Sequence, residues 1–260
     1  MHVAHTRSTQ VRIGERRRPD PQGQPGFLRV DSVHQGDLHG VKGVYYLHLV
    51  DEVTQWDLRV AVEGISEAHL LPALEAALAR FPFELQGFHS DNGSEYINRQ
   101  VARLLTKLHI AQTKSRPLRS NDNGLVESKN ASTLRGYLGH GHIPGRFAAR
   151  LNAFFRDHLD PYVNLHRPSA YPVVTILPDG KRKVTYPKTA YRTPLEKLAS
   201  LPEVETYLRP GVTIAGLRAQ ADALRPNEAA RRMQAARRRV LLAVQHSATM
   251  SSSAAPSGSF

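Results

Sequence analysis

Apolar residues recur at two different periods along the first two thirds of the chain, and the change of period separates strands from helices. Three β-rich segments come first, at residues 27–33, 43–50 and 55–62, with glycine-containing or polar turns between them. A helix follows over residues 66–80, where Ser66 is suited to cap its N-terminus. The pattern then predicts a strand, a helix and a strand at residues 85–90, 94–108 and 110–114. The predicted order is β-β-β-α-β-α-β.

Two further helices complete the compact region. The periodicity predicts them at residues 124–137 and 146–162, after a polar loop with the sequence SRPLRSNDNG. Strands that alternate with helices favour an α/β domain, in which a mixed sheet carries helices on both faces. We expect this domain to span residues 27–167.

The flanking segments differ from this domain in composition. Residues 1–26 mix Arg, Pro, Gly and Gln without an apolar face, and are expected to form a basic arm or linker. Residues 168–225 contain VVTILPDGKRKVTYP, a hairpin pattern around the turn PDG, and predict a small β-containing region. Residues 226–246 predict a basic helix with one apolar stripe. Residues 247–260 have the composition of a disordered tail.

Composition excludes several classes of protein. The chain has 260 residues, of which 40% are hydrophobic and 22% charged, as in ordinary globular proteins. Its apolar runs are far shorter than the roughly 18 residues that a membrane span needs, and the N-terminus lacks the apolar stretch of a secretory signal. We therefore expect a cytoplasmic protein without a membrane span. The absence of cysteine excludes a thiol nucleophile and a cysteine-based zinc site.

The charge balance points to a polyanionic partner. Lys and Arg number 35 against 23 Asp and Glu, a formal net charge of +12. The excess lies near the two ends, because residues 1–30 hold six Arg and residues 207–246 hold eight, each against two acids. Nucleic acid and an anionic membrane surface both fit this charge, and a merely solubilising role stays open at this point.

Three carboxylates stand out by context. Asp31 ends an apolar strand (FLRVD), Asp91 follows the fourth strand (GFHSDNG), and Glu127 lies in the first turn of a helix (GLVES). The tripeptide DNG also suits a plain turn, and Glu127 could merely complement its helix dipole. Neither reading explains Asp31, since an unpaired carboxylate at a strand end is costly unless it binds a cation. Three converging carboxylates are the hard oxygen ligands that Mg²⁺ or Mn²⁺ prefers, and we expect a pair of ions.

Around these residues the sequence resembles the catalytic core of DDE transposases and retroviral integrases, in the ribonuclease H-like superfamily. The resemblance rests on VDSVH around Asp31, SDNGSEY around Asp91, NDNGLVESKN around Glu127 after the SRP loop, and YVNLHRPS at residues 162–169. It implies a five-stranded mixed sheet, two divalent ions held by Asp31, Asp91 and Glu127, and metal-dependent DNA strand cleavage and strand transfer. It also implies element ends and target duplex as DNA partners, a homo-oligomer on DNA, and a nucleoid-associated location in a bacterial cytoplasm.

Basic and polar residues near the triad are candidates for DNA contact, with a solvated surface role equally open for each. They are Lys114, Arg116, Arg119, Lys129, Asn130 and Arg135. Many relatives carry Lys or Arg four or seven residues beyond the catalytic Glu, where this chain has Ala131 and Leu134. Asn130 and Arg135 are the nearest substitutes. Because no helix-turn-helix pattern precedes the core, we expect a truncated chain or one that recognises DNA ends with another subunit.

Two classes of function remain open. The first is an active DNA strand transferase, which the intact triad favours. The second is a catalytically silent, truncated transposase remnant that acts only as a DNA-binding protein, which the missing N-terminal domain favours. A ribonuclease H would also fit the metal site, but it does not explain the SRP and YVNLHRPS segments.

Overall fold

The computed structural model describes residues 13–91, 93, 95–116 and 122–253. Within these ranges we find no helix that combines the length and the apolar character of a membrane span. The candidate DNA contact Arg119 lies outside the described residues, as do residues 1–12 of the predicted basic arm and residues 254–260 of the predicted tail.

A six-stranded mixed sheet forms the centre of the fold, in the order β1-β8-β7-β2-β5-β6. In chain order the first eight strands are β1 (Glu15–Arg16), β2 (Phe27–His34), β3 (Asp37–Leu38), β4 (Val41–Lys42), β5 (Tyr45–Asp51), β6 (Asp57–Val62), β7 (Gly87–Ser90) and β8 (Ala111–Lys114). Strands β2, β5 and β6 are antiparallel, and β2, β7, β8 and β1 run parallel to one another. Strands β3 and β4 form a separate small hairpin. The predicted α/β fold with a mixed sheet is confirmed.

The sheet has one strand more than predicted. Strand β1 pairs in parallel with β8 at the edge of the sheet, within the segment expected to be a linker. Two residues are too few to show a period in the sequence, so only the pairing with β8 reveals this strand.

Helices lie on both sides of the sheet and follow the predicted order, except that two of them, at Pro194–Ala199 and Ile214–Asp222, lie in the region for which only β structure was predicted. The helices are α1 (Glu67–Leu78), α2 (Arg99–Lys107), α3 (Gly124–Lys129), α4 (Gly136–Leu138), α5 (Ala148–Phe154), α6 (Pro194–Ala199), α7 (Ile214–Asp222) and α8 (Pro226–Ser253). The π-helical segment Asn130–Arg135 joins α3 to α4 without a break. Helix α2 begins five residues later than predicted because the Asn98 side chain caps it, accepting hydrogen bonds from the backbone N–H groups of Gln100 and Val101.

Two apolar clusters cover the two faces of the sheet. Leu47 and Leu49 of β5 face the first cluster, whereas Val44 and Tyr46 face the second. Strand β5 is therefore buried on both faces, which explains its nearly continuous apolar sequence. The first cluster includes apolar residues of α1, α2, α6 and α7, and the second includes those of α5 and α8.

The C-terminal elements therefore pack on the central domain. Leu195 and Leu217 belong to the first cluster, and Met233 and Val240 to the second. Helix α8 runs to Ser253 and so enters the segment predicted to be disordered. That prediction was wrong for residues 247–253, because no Pro or Gly interrupts the sequence before Pro256 and the helix can continue.

The predicted hairpin projects from this body. Strands β10 (Val173–Ile176) and β11 (Arg182–Thr185) pair antiparallel around the PDG turn. Strands β9 (Ser169–Ala170) and β12 (Tyr191–Arg192) pair at the base of the hairpin.

Candidate active site

The register of the parallel strands brings Asp31 and Asp91 together. Val30 of β2 pairs with Ser90 of β7, and Ser90 is the last residue of its strand. Asp31 directly follows Val30 and Asp91 directly follows Ser90, so the two aspartates lie side by side. Strand β2 continues to His34 along β5 alone, so Asp31 lies at the end of the parallel pairing and not at the end of its own strand as predicted.

Both oxygens of the Asp31 carboxylate accept hydrogen bonds. The backbone N–H of Ser32 donates to Oδ1 at 2.8 Å, and the side-chain amide of Asn130 donates to Oδ2 at 2.7 Å. Asp91 is held differently, since its Oδ1 accepts a hydrogen bond of 3.0 Å from the backbone N–H of Gly93. This contact with Gly93 fixes the Asp91 carboxylate beside Asp31.

Burial and two neighbouring carboxylates perturb Asp31. Burial, the negative charge of Asp91 and, to a smaller extent, that of Glu127 raise the pKa of Asp31 to about 6. Asp91 and Glu127 therefore both act electrostatically on Asp31, although the three residues come from two strands and a helix.

Glu127 is exposed on the first turn of α3, the helix that lies against β2 and β5. The side-chain amide of Asn123 donates to the carbonyl oxygen of Val30 at 3.2 Å, and the Arg29 guanidinium donates to the carbonyl oxygen of Asp122. These two contacts hold the N-terminus of α3 beside the strand that carries Asp31.

A buried polar network continues from Asp31 into the protein. Oδ1 of Asn130 lies 2.5 Å from Nδ1 of His48, and Nε2 of His48 lies 2.6 Å from Oδ1 of Asp57. Both ring nitrogens of His48 therefore lie within hydrogen-bond distance of side-chain oxygen atoms. Burial would raise the pKa of Asp57, but the charges of Arg59 and His48 together hold it well below its usual range.

Sequence reasoning missed the role of His48. The signal was present, because His48 interrupts the apolar strand sequence YYLHLVD at a position that the fold buries completely. A polar residue inside a strand buried on both faces needs a partner, and His48 finds two.

The carboxylate oxygens of Asp31, Asp91 and Glu127 are the ligand type that a divalent cation prefers. Among the described residues, however, no three acidic or histidine side chains lie close enough together to hold a metal ion. Like charges oppose the close approach of carboxylates. The chemistry of the three carboxylates therefore fits a divalent cation, whereas the carboxylates lie too far apart to form a closed ligand shell.

Several candidate DNA contacts are engaged within the protein. Lys129 is buried and its Nζ donates to Oγ of Ser169 at 2.8 Å, and the buried Asn130 is shared by Asp31 and His48. The structure thus gives Asn130 a different role from the predicted phosphate contact.

The other described candidates differ in exposure. Lys114 is buried in β8. Arg116 is exposed but makes a bidentate contact with Asp122, at 2.9 and 2.8 Å. Arg135 donates to Oε1 of Gln35 at 3.0 Å. Arg116 is therefore the most accessible of these cations, and their binding to DNA stays a prediction.

The first part of the candidate catalytic region is similar to a known protein family. Residues 28–120 match the family model of the integrase core domain. The resemblance inferred from the motifs is confirmed, and so is the ribonuclease H-like fold of this region. The matched residues include Asp31 and Asp91 and end before Glu127, so the assignment of Glu127 depends on the contacts of α3.

A similar protein comes from Sinorhizobium fredii (strain NBRC 101917 / NGR234). It is "Uncharacterized protein y4rM", and it is 34% identical to this chain over 146 residues. The match covers 56% of this chain and 42% of that protein. The chain thus matches less than half of the length of this relative.

Proposed function

We propose that this chain is a DDE-type polynucleotidyl transferase that cleaves and joins DNA strands in transposition or integration. The observation that carries this proposal is that Asp31 and Asp91 each directly follow the last paired residues of two parallel strands, with Glu127 on the adjacent helix. The integrase core domain implies that the partner is DNA. The net charge of +12 supports the same partner.

Asp31, Asp91 and Glu127 would hold Mg²⁺ or Mn²⁺, as two ions. Bound divalent ions would activate the attacking hydroxyl or water and stabilise the leaving oxygen in an in-line displacement at phosphorus. Asn130 fixes the orientation of the Asp31 carboxylate. The exposed guanidinium of Arg116 is positioned to meet a phosphate, in competition with Asp122.

Removal of one charge at a time tests the triad. We expect Asp31→Asn, Asp91→Asn and Glu127→Gln each to abolish Mg²⁺-dependent nicking and joining of a duplex, while the protein stays folded. The thermal midpoint should hold or rise, because loss of one charge relieves repulsion among the carboxylates. The assay is strand transfer on duplexes carrying the DNA that flanks the encoding gene, with and without Mg²⁺.

Two exposed acids away from the triad provide matched controls. Glu67→Gln changes an acid in the first turn of α1, as Glu127→Gln does in α3, and Asp37→Asn changes an exposed aspartate. Both variants should keep full activity. Glu95 and Asp122 are less suitable controls, because Glu95 accepts a hydrogen bond from Ser32 beside the site and Asp122 holds Arg116.

The same assay separates the alternatives. Retained activity in any triad variant would remove that residue from the site. DNA binding without nicking or joining by the unaltered chain would favour the catalytically silent remnant, which the wide spacing of the carboxylates also allows. Cleavage confined to RNA–DNA hybrids would instead indicate a ribonuclease H.

A further inference from the structure

The hairpin of β10 and β11 is an arm with both faces open to solvent. Every residue in the range 172–189 is exposed except Leu177, which is half-buried. A two-stranded hairpin is marginally stable in water unless one face is covered. Neither face of this arm is covered by the rest of the protein, so the arm presents a surface for a partner.

Charge on this arm has one predominant sign. Residues 172–189 carry four cations, Lys181, Arg182, Lys183 and Lys188, against the single acid Asp179. Two copies of the arm would therefore repel each other, whereas a polyanion would attract it. The charge favours DNA over a second copy of this chain as the occupant.

The tip of the arm is formed by Leu177 and Pro178, and its shaft, which includes the cations at residues 181–183, by the two paired strands and the residues next to them. Together they indicate how DNA would be bound. The turn presents Leu177 and Pro178, two of the apolar residue types that minor-groove proteins insert between base pairs. The range 172–189 contains no Asn or Gln, the side chains that contact adenine in the major groove, and its Lys and Arg side chains also suit phosphates.

The base of the arm is fixed next to the catalytic helix. Ser169 of β9 accepts the hydrogen bond from Lys129, which lies two residues after Glu127 on α3. The Gln55 side chain donates to the carbonyl oxygen of Ala170 at 2.9 Å, and the Tyr171 hydroxyl donates to the carbonyl oxygen of Thr54. DNA held by the arm would thus lie beside the helix that carries Glu127.

We propose that the arm of residues 172–189 lies in the minor groove of duplex DNA, with Lys181, Arg182 and Lys183 against the phosphates and the Leu177–Pro178 tip wedged between base pairs. The inference rests on the proposed function only in taking DNA as the partner, and it assigns the arm to gripping and bending that DNA. A wedge works against base stacking, so we expect tighter binding to a duplex with a short gap than to an intact duplex.

Affinity measurements in the Asp31→Asn background test the cationic shaft without strand cleavage. The triple variant Lys181→Gln, Arg182→Gln, Lys183→Gln should bind a duplex of about 30 base pairs about 10- to 100-fold more weakly. Its slope of log K against log salt should be shallower by about 2 to 3, because three phosphate contacts are lost. The matched control is Arg99→Gln, Arg103→Gln, Lys107→Gln on the exposed side of α2, which should leave the slope nearly unchanged.

The tip has a separate readout. The double variant Leu177→Ala, Pro178→Ala should lose the preference for gapped over intact duplex and keep the salt slope, since no charge changes. Netropsin, a minor-groove ligand, should compete with the unaltered chain. Because the arm is exposed, both variants should fold, and circular dichroism would check this.

Three results would overturn the proposal. One is an equal loss of affinity in the arm and α2 triple variants, and another is equal binding of gapped and intact duplex by the unaltered chain. The third is a change of oligomeric state in the arm variants, measured by light scattering without DNA, while DNA affinity stays constant. That outcome would assign the arm to self-association. Since no readout requires strand cleavage, inactivity of the triad would not affect the result.

Discussion

Asn130 connects the Asp31 carboxylate to the buried His48–Asp57 pair. Its amide nitrogen donates to Asp31 at 2.7 Å, and its amide oxygen lies 2.5 Å from His48. A side-chain amide carries both a donor and an acceptor, so it can donate to a carboxylate on one side and face an imidazole nitrogen on the other. Its orientation is therefore set by the residues on both sides of it.

We expect Asn130→Ala to weaken Mn²⁺ binding about 10- to 100-fold, the usual effect of removing a residue that orients a metal ligand. The free energy of unfolding should also fall by about 1 to 3 kcal/mol, because His48 loses a buried partner. Isothermal titration with Mn²⁺ and urea unfolding measure the two effects. Ser128→Ala on the exposed side of α3 is the control and should change neither. Unchanged Mn²⁺ affinity in Asn130→Ala would mean that Asp31 is oriented without Asn130.

His89 is a neutral histidine buried next to the site. It is hydrogen bonded to the hydroxyls of Thr113 and Ser115, and burial, together with the charge of Arg29, lowers its pKa to about 3. Both of these partners are uncharged hydroxyls, so we expect His89 to stabilise the fold.

This lowered pKa predicts acid sensitivity. Below about pH 6.5 the unfolded chain binds a proton at His89 that the folded protein does not bind, so stability is present above that pH and is lost as the pH falls. Between pH 7.5 and pH 5 the unaltered protein should lose about 2 kcal/mol more unfolding free energy than His89→Gln, which does not titrate. Urea unfolding at the two pH values measures the difference. Equal losses would show that the folded protein accommodates the proton.

At the scale of elements, α8 combines a buried apolar stripe with an exposed basic side. Ala229, Met233, Ala236 and Val240 are buried in the second cluster, whereas Arg231, Arg232, Arg238 and Arg239 are exposed. Arg237 is turned inward, where its Nε donates to the carbonyl oxygen of Tyr137. The stripe thus packs on the protein, and deletion of the helix would remove part of the core.

Point variants separate the two sides of α8. Met233→Ala should lower the free energy of unfolding by about 2 to 5 kcal/mol, as expected when a buried side chain leaves a cavity. The exposed neighbour Gln234→Ala should change it by no more than about 0.5 kcal/mol. Chemical denaturation measures both. If Met233→Ala is as stable as the unaltered protein, α8 does not belong to the cooperative core.

Across the whole molecule, cations are spread over the N-terminal segment, the arm and α8, and these three segments contribute most of the net charge of +12. Such contacts are made mainly to phosphates, which carry no base sequence. A minor-groove arm would add only a coarse distinction between A·T and G·C pairs. We therefore expect this chain to bind DNA tightly at low salt and with little sequence preference.

Competition binding tests this expectation. The affinity for DNA that flanks the encoding gene should exceed that for scrambled duplex by less than about tenfold, far below the roughly 10³- to 10⁷-fold margin of specific sites. Affinity should fall steeply as salt rises, since counterions are released on binding. A preference well above tenfold would reveal base-specific contacts that neither the arm nor α8 accounts for.

The sequence by itself determined the features that depend on local pattern. Periodicity predicted the order of strands and helices, because burial of one face or two leaves a period that neighbouring residues reveal. The composition of the PDG turn predicted the hairpin. The triad residues lie after strands and in the first turn of a helix, and these positions are local features of the sequence as well.

Only the tertiary structure decided what depends on distant partners. The two-residue strand β1 exists because β8 offers an edge, and the role of Asn130 follows from His48, which lies 82 positions away in the sequence. The Lys129 side chain is likewise held inside the protein by its hydrogen bond to Ser169. Hydrogen bonds between residues far apart in sequence leave no periodic signal, so which polar side chains are buried and which remain free for DNA emerges only when the sheet and helices pack together.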